Sequence, residues 1–334
     1  MLRMPRFEVS CPESLPEALA LLAESELDTR VMAGGTDLLV ALKNRLEVPQ
    51  RVVSLARVGG LDHVTEQEGS LAIGARVTLA QLGASDLVRR LAPALGEAAR
   101  SVASPQVRQV ATIGGNALLS TRCRYYNQSH FWRKALGFCL KKDGTLCHVV
   151  EGGKKCVAAA SGDTAPALLT LGARVTLESQ HGVRALPLLD LYRNDGIANT
   201  VLRPDELLTE LVVPAQRPGH RGAYEKLRVR EAIDYPLLGV AVRLDVDPDS
   251  AVVTDVDVVL TALQAKPRRV ARIDSLIVGV PIHGEAFEAA AAQLGLRARD
   301  QCHPVANVPG DPEYRRKLVP VLVRRALLRA AGAA

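Results

Sequence analysis

The sequence predicts an α+β protein: two α/β subdomains followed by a C-terminal domain of antiparallel sheet plus helices. Three observations carry this. Residues 1–58 alternate amphipathic helix and short strand around a paired-glycine turn. Residues 59–217 hold a second glycine turn with strands and helices of their own, interrupted by an insertion at about 120–160. From about residue 218 to 334 the pattern changes to long apolar strands and then helices.

In the first stretch, Ser14-Leu15-Pro16-Glu17 reads as a capping box with proline in the first helical turn. Leu15, Ala18, Leu19 and Leu22 continue it as one apolar stripe. A strand at Arg30–Met32 runs into the turn Ala33-Gly34-Gly35-Thr36-Asp37. A helix over Leu38–Leu46 stops before Pro49, and a strand at Arg51–Leu55 completes a βαβ unit. Further on come a strand at Leu71–Ala75, a second capping box at Thr78–Gln81 and a helix over Ser85–Ser101 interrupted at Pro93. The second glycine turn is Thr112-Ile113-Gly114-Gly115-Asn116. A hairpin joins Ala173–Glu178 to Val183–Leu186, and Leu207–Val213 is a strand. The last third holds strands at Ala223–Val229, Gly239–Val246 and Val252–Leu263, then helices at Glu285–Leu294 and Pro312–Ala331.

A hydrophobic share of 48% and a charged share of 23% are those of a soluble globular protein. No segment has the eighteen or so consecutive apolar residues of a membrane span, and Met1–Pro12 lacks the apolar core of a signal peptide. The expectation is a cytoplasmic protein bound to no membrane. The net charge of +6 is spread among neighbouring acids, which argues against a nucleic-acid partner. Its excess gathers at Arg122–Lys155 and Arg315–Arg329, as a solvated surface or as a docking face for an acidic protein.

Four of the six cysteines, Cys123, Cys139, Cys147 and Cys156, fall in the insertion, separated by fifteen, seven and eight residues. Clustered cysteines of an intracellular protein are more often metal ligands than disulfides. Structural zinc favours a tight Cys-x(2–4)-Cys knuckle, which is absent; a cubane takes each thiolate on a separate iron and suits wide spacing. Spacing alone leaves zinc and iron–sulfur both open. His148 is either a further ligand or a histidine beside the site. Arg122, Arg124, Lys141, Lys142, Lys154 and Lys155 would offset the charge of an anionic cluster or simply solvate the loop. Tyr125, Tyr126, Phe131, Trp132 and Phe138 concentrate here in a chain that is only 3% aromatic, the composition of an insertion with its own role. Cys11 and Cys302 stand alone.

The two glycine turns share a design. Paired glycines permit close backbone approach, and amides exposed at such a turn suit a pyrophosphate. Neither matches the Rossmann fingerprint or the phosphate loop. Two such turns, each following an apolar segment, point to a dinucleotide.

These motifs resemble those of the flavin subunits of the xanthine dehydrogenase family of molybdenum hydroxylases, whose FAD fold is of the vanillyl-alcohol oxidase type. The resemblance extends to Ser161-Gly162-Asp163 with Pro166, to Leu202–Leu208, and to Tyr224-Glu225-Lys226 running on to Arg230 and Asp234; it covers roughly residues 5–330. The insertion resembles that of the β-subunits of 4-hydroxybenzoyl-CoA reductases, where four cysteines bind a [4Fe–4S] cluster. Tyr126–Ser129, Trp132-Arg133 and Cys147-His148-Val149 share in that resemblance.

The resemblance implies that Cys123, Cys139, Cys147 and Cys156 hold a [4Fe–4S] cluster. It implies that FAD lies on Ala33, Gly34, Gly35, Thr36 and Asp37, flanked by Met32 and Leu38, and on Thr112, Gly114, Gly115 and Asn116. Asp163 and Lys226 match positions at the flavin end, and Leu208 an apolar residue near the ring. Where some members of the family place an aromatic beside the flavin, this chain has Val102. It further implies an electron-transfer subunit without a catalytic residue of its own. Its partners would be a molybdenum-cofactor large subunit, a [2Fe–2S] small subunit and a ferredoxin donor, in a dimer of heterotrimers. Two other readings stand beside this one: the flavin subunit of another molybdenum hydroxylase or aldehyde oxidoreductase, and a non-catalytic zinc-binding interaction module.

Overall fold

The structure is a computed structural model that describes residues 2–24 and 26–332. Met1 and the last two residues of the predicted C-terminal unit lie outside it. Within the described residues the chain forms three sheets. The first is parallel, with Arg51–Ser54 between Glu8–Ser10 and Thr29–Met32. All four residues of its central strand are buried, as a strand flanked on both sides requires. The second sheet is antiparallel, in the order Val64–Gln67, Ser70–Gly74, Leu207–Val213, Arg174–Ser179, Gly182–Pro187. The third, also antiparallel, runs Arg268–Arg269, Val253–Thr261, Leu238–Val246, His220–Leu227. The α+β class is therefore as predicted.

Helix starts follow their caps. The Ser14 hydroxyl accepts from the Glu17 amide, although the Glu17 carboxylate accepts from Glu13 and so completes only half of the predicted box. At Thr78 the box is complete. Pro93 divides the predicted long helix into Asp86–Leu91 and Pro93–Ser101, because proline is tolerated in a first turn but not in a helix interior. The helix predicted over Leu38–Leu46 ends at Lys43, where Arg45 turns the chain with φ 54°. The helix that begins at Glu285 continues to Asp300, six residues past the predicted end.

The middle sheet and the helices around Leu79–Ser101 enclose one core, in which Leu71, Ile73, Leu79, Leu82, Leu95 and Leu168 are fully buried. A second core lies between the third sheet and the helices Glu285–Asp300 and Pro312–Ala331. The arginines on that last helix are largely matched within the chain. Arg324 pairs with Glu288 at 2.6 Å, and Arg329 with Glu97 and Glu225 at 2.8 Å each. This part of the basic excess is therefore balanced locally.

Arg315, on the same helix, is completely buried. It donates to the carbonyl oxygens of Leu237 and Val305 at 3.0 Å each and to that of Ala262. Burial pushes its guanidinium down to about 10. It thus ties the start of the last helix to the residue before strand Leu238–Val246 and to the residue after strand Val253–Thr261. The change Arg315→Met should lower stability by about 3 kcal/mol, since buried carbonyls lose their donors, and urea unfolding checks this.

Candidate functional site

The first glycine turn leaves strand Thr29–Met32 and lies directly on the chain entering the second turn. A β-carbon on Gly34 would come within 1.8 Å of the Val110 carbonyl oxygen. Gly35 has φ +68°, which any side chain would strain. The turn residues, with Met32 and Leu38 on either side, are half-buried. Among the described residues, the amides of Gly34, Gly35, Thr36 and Asp37 find no acceptor. A half-buried row of unused N–H groups is chemically fitted to an anion. The Asp37 carboxylate closes the turn, accepting from Tyr235 Oη at 3.0 Å and Arg122 at 3.3 Å. The Arg122 guanidinium also lies 3.7 Å from the centre of the Tyr235 ring.

The second turn differs from the open amide cradle expected of it. Thr112 caps the short helix Ile113–Ala117 by accepting from Gly115 N. The amides of Ile113 and Gly114 donate to Val77 and Ala75, and that of Asn116 to Thr112. Its glycines serve contact: a β-carbon on Gly114 would lie 2.8 Å from Ala75. The Asn116 side-chain oxygen accepts from Thr164 N at 3.0 Å and Oγ1 at 2.6 Å, which fixes the second turn beside Asp163.

Asp163 is 2% exposed. Its carboxylate accepts from Tyr224 Oη at 2.8 Å and from Lys226 Nζ at 3.0 Å, and Lys226 also donates to the Ser101 carbonyl at 3.1 Å. Burial drives the Asp163 pKa up and the Lys226 pKa down, while the pairing opposes both shifts. Burial and the adjacent carboxylate raise the Tyr224 hydroxyl well above its ordinary value. Val102, next to Ser101, is nearly covered. The structure thus brings Asp163, Lys226 and the Val102 segment together. Leu208 is enclosed in the main core opposite Leu177, on a strand that packs against the Ile113–Ala117 helix. Tyr224, Tyr235 and Arg122 were missed as site residues. The signal for Tyr224 was its place two residues before Lys226, on the same strand face.

The insertion leaves and rejoins the scaffold through a two-hydrogen-bond neck, Arg122 N to Ala159 O and Ala159 N to Arg122 O, both 2.8 Å. Arg133, buried within it, donates to the carbonyls of Asn44 and Arg45 and so docks it on the first subdomain. Cys123, Cys139, Cys147 and Cys156 line a single small cavity. Cys123 and Cys139 are buried, the other two half-buried, and none is in a disulfide. Burial and neighbouring thiols raise the pKa of both Cys123 and Cys156. No three His, Cys, Asp or Glu side chains among the described residues are gathered so as to hold a single metal ion. His148 Nε2 is engaged with the Phe138 carbonyl at 2.6 Å. A larger open cleft lies elsewhere, where Arg243 and Arg269 meet Asp245, Asp255 and Asp257; it contains no predicted site residue.

Replacing Lys226 by Met strands the Asp163 carboxylate in the interior. It should cost about 3–5 kcal/mol at neutral pH. Without its cation, Asp163 has a folded pKa further above its unfolded value, so the deficit should shrink as pH falls and the carboxyl takes a proton. Urea unfolding across pH, with Asp163→Asn added to recover part of the loss, checks this.

The chain matches the FAD binding domain in molybdopterin dehydrogenase over residues 5–216 and the CO dehydrogenase flavoprotein C-terminal domain over residues 222–330. It is 30% identical over 329 residues to the carbon monoxide dehydrogenase medium chain of Afipia carboxidovorans, covering 98% of each chain. It is 28% identical over 288 residues to the nicotinate dehydrogenase FAD-subunit of Eubacterium barkeri, covering 86% of this chain and 84% of that one. The crystal structure of a Cu,Mo-CO dehydrogenase, in its cyanide-inactivated form, superposes with a TM-score of 0.78 at 28% identity, over 99% of this chain and 100% of that one. No helix among the described residues is long and apolar enough to cross a membrane. The chain belongs to the FAD-binding medium subunits of the molybdenum hydroxylase family, the oxidoreductase subunits of the carbon monoxide dehydrogenase and xanthine dehydrogenase type.

Proposed function

We propose that this chain is the FAD and [4Fe–4S] electron-transfer subunit of a 4-hydroxybenzoyl-CoA reductase. The observation that carries the reading is the convergence of Cys123, Cys139, Cys147 and Cys156, from four separate segments of the insertion, on one cavity. Four cysteine thiols lining one cavity suit a cluster that takes each thiolate on a different iron. Loading it requires thiols to lose protons, which burial opposes at Cys123 and Cys156.

The free amides of Gly34–Asp37 would take the pyrophosphate of FAD, with Met32 and Leu38 at the edges of the turn. Thr112, Gly114, Gly115 and Asn116 would offer a close-fitting wall rather than amide donors. Asp163 and Lys226 would fix the polar edge of the flavin, with Val102 beside the ring and Leu208 behind it. FAD exchanges electrons singly or in pairs and a [4Fe–4S] cluster singly, so a chain holding both joins two-electron to one-electron traffic. The residues of this chain bind and orient the two groups; the substrate reaction belongs to a molybdenum-cofactor large subunit, reached through a [2Fe–2S] small subunit in a dimer of heterotrimers. A reduced ferredoxin is the donor in this reading. It would meet the basic insertion, where Phe131 is 83% exposed and Trp132, Leu136 and Leu146 also reach the surface.

A second reading, another molybdenum hydroxylase running electrons outward, is favoured by the relatives named for carbon monoxide and nicotinate. The purified complex, given 4-hydroxybenzoyl-CoA and a strong one-electron donor, should yield benzoyl-CoA; no benzoyl-CoA would sink the reductase reading. Iron and flavin analysis of the chain should give FAD and about four irons, the content of a Cys₄ cubane. The variant Cys139→Ser should lose iron while keeping FAD, since the glycine turns belong to the scaffold outside the insertion. Zinc in place of iron would overturn the cluster.

A further inference from the structure

Of the six basic residues around the cysteines, the fold singles out one. Arg122 is turned toward Asp37 and Tyr235, and Lys142 lies 3.8 Å from Asp143. Lys141 lines the cavity with the four cysteines. Its ammonium donates to Thr121 O at 2.8 Å, Thr121 Oγ1 at 2.5 Å and Ser120 Oγ at 3.1 Å, and sits 4.7 Å from the centre of the Tyr126 ring. Every one of these acceptors is uncharged, and among the described residues no carboxylate forms an ion pair with it.

Its anchor is held in turn. Thr121 is fully buried and its hydroxyl donates to Gly196 O at 2.5 Å, while Gly196 N donates to Cys156 O at 3.1 Å. A β-carbon on Gly196 would lie 2.6 Å from Cys156 Sγ. One connected set of hydrogen bonds therefore fixes both the ammonium and the segment carrying a thiol. An unpaired positive charge held at the wall of a cavity lined by four cysteines has an evident counterpart, the negative charge of a four-thiolate cluster.

We propose that Lys141 is a positioning residue that sets the reduction potential of the cluster, its fixed charge favouring the reduced, more negative state. This rests on the cluster reading above. The test is a redox titration of the iron-loaded protein followed by electron paramagnetic resonance, on the wild type, Lys141→Met and Lys141→Arg. Removing the charge should lower the reduced-to-oxidised ratio at a fixed ambient potential by tenfold or more, which is about 59 mV for one electron. Lys141→Arg should restore most of that ratio. Full iron content with an unchanged ratio in Lys141→Met overturns the proposal. Should Lys141→Met fail to retain iron, retention by Lys141→Arg supports a role for the charge, and loss from both variants overturns it in favour of simple packing. A wild-type protein that takes up no iron defeats the cluster reading itself, a result distinct from a cluster whose potential ignores Lys141.

Discussion

The arrangement of the flavin half depends on a buried ion pair. Asp163 follows the insertion, Lys226 lies on the edge strand of the third sheet, and the Ser101 carbonyl that shares the lysine ends a helix of the middle unit. Segments far apart in sequence meet at one nitrogen. Such a pair gives little net stability over a well-packed apolar one, because desolvating two charges offsets most of their attraction. Its value is in registration. The Tyr224 hydroxyl, donating to the same carboxylate at 2.8 Å, fixes its orientation toward the lysine, and Asn116 holds the neighbouring Thr164 to the second glycine turn. Any ligand lying along the turns meets a polar edge whose geometry is already set.

The glycines impose the complementary constraint, which is absence of side chain. Gly34 rests against Val110 and Gly114 against Ala75, so each turn is pressed on backbone or on a methyl. That closeness has different consequences at the two turns. The first keeps its amides unused because it comes between a strand end and a short helix and neither takes them up. The second has folded into a capped helical turn that consumes its own. Turns alike in sequence can thus play unlike parts, one as donor row and one as wall.

Much of this was legible in the sequence where local chemistry decides the outcome. Ser14, Thr78 and Pro93 mark helix starts by rules that act within one turn, and Leu207–Val213 and Pro312–Ala331 fall where the pattern places them. The errors share a cause. The edge strand Val64–Gln67 is exposed along most of its length and carries no apolar signal; it exists because Ser70–Gly74 pairs with it. The helix Thr164–Thr170 is buried throughout, so it has no amphipathic period to read. The partners of Asp37 lie at residues 122 and 235, a distance in sequence that no local pattern reaches. For the same reason the cysteines were legible as a group while the one of the six basic residues that lines their cavity, Lys141, was not.

Arg122 shows how an inserted segment can be added without disturbing the site it leaves from. Its backbone forms the neck with Ala159, its side chain reaches Asp37 of the first glycine turn, and the next residue is Cys123. The insertion is therefore rooted at the first glycine turn, and its far side is pinned to the first subdomain by Arg133. Leu46 of that subdomain packs into the same small apolar cluster as Cys123 and Cys139. A loop fixed at its neck and along its flank has little freedom to move its thiols relative to the turn beside it. The cysteine cavity and the first glycine turn are thus held in one fixed arrangement. Phe131, Trp132, Leu136 and Leu146 take no part in these anchors and face outward.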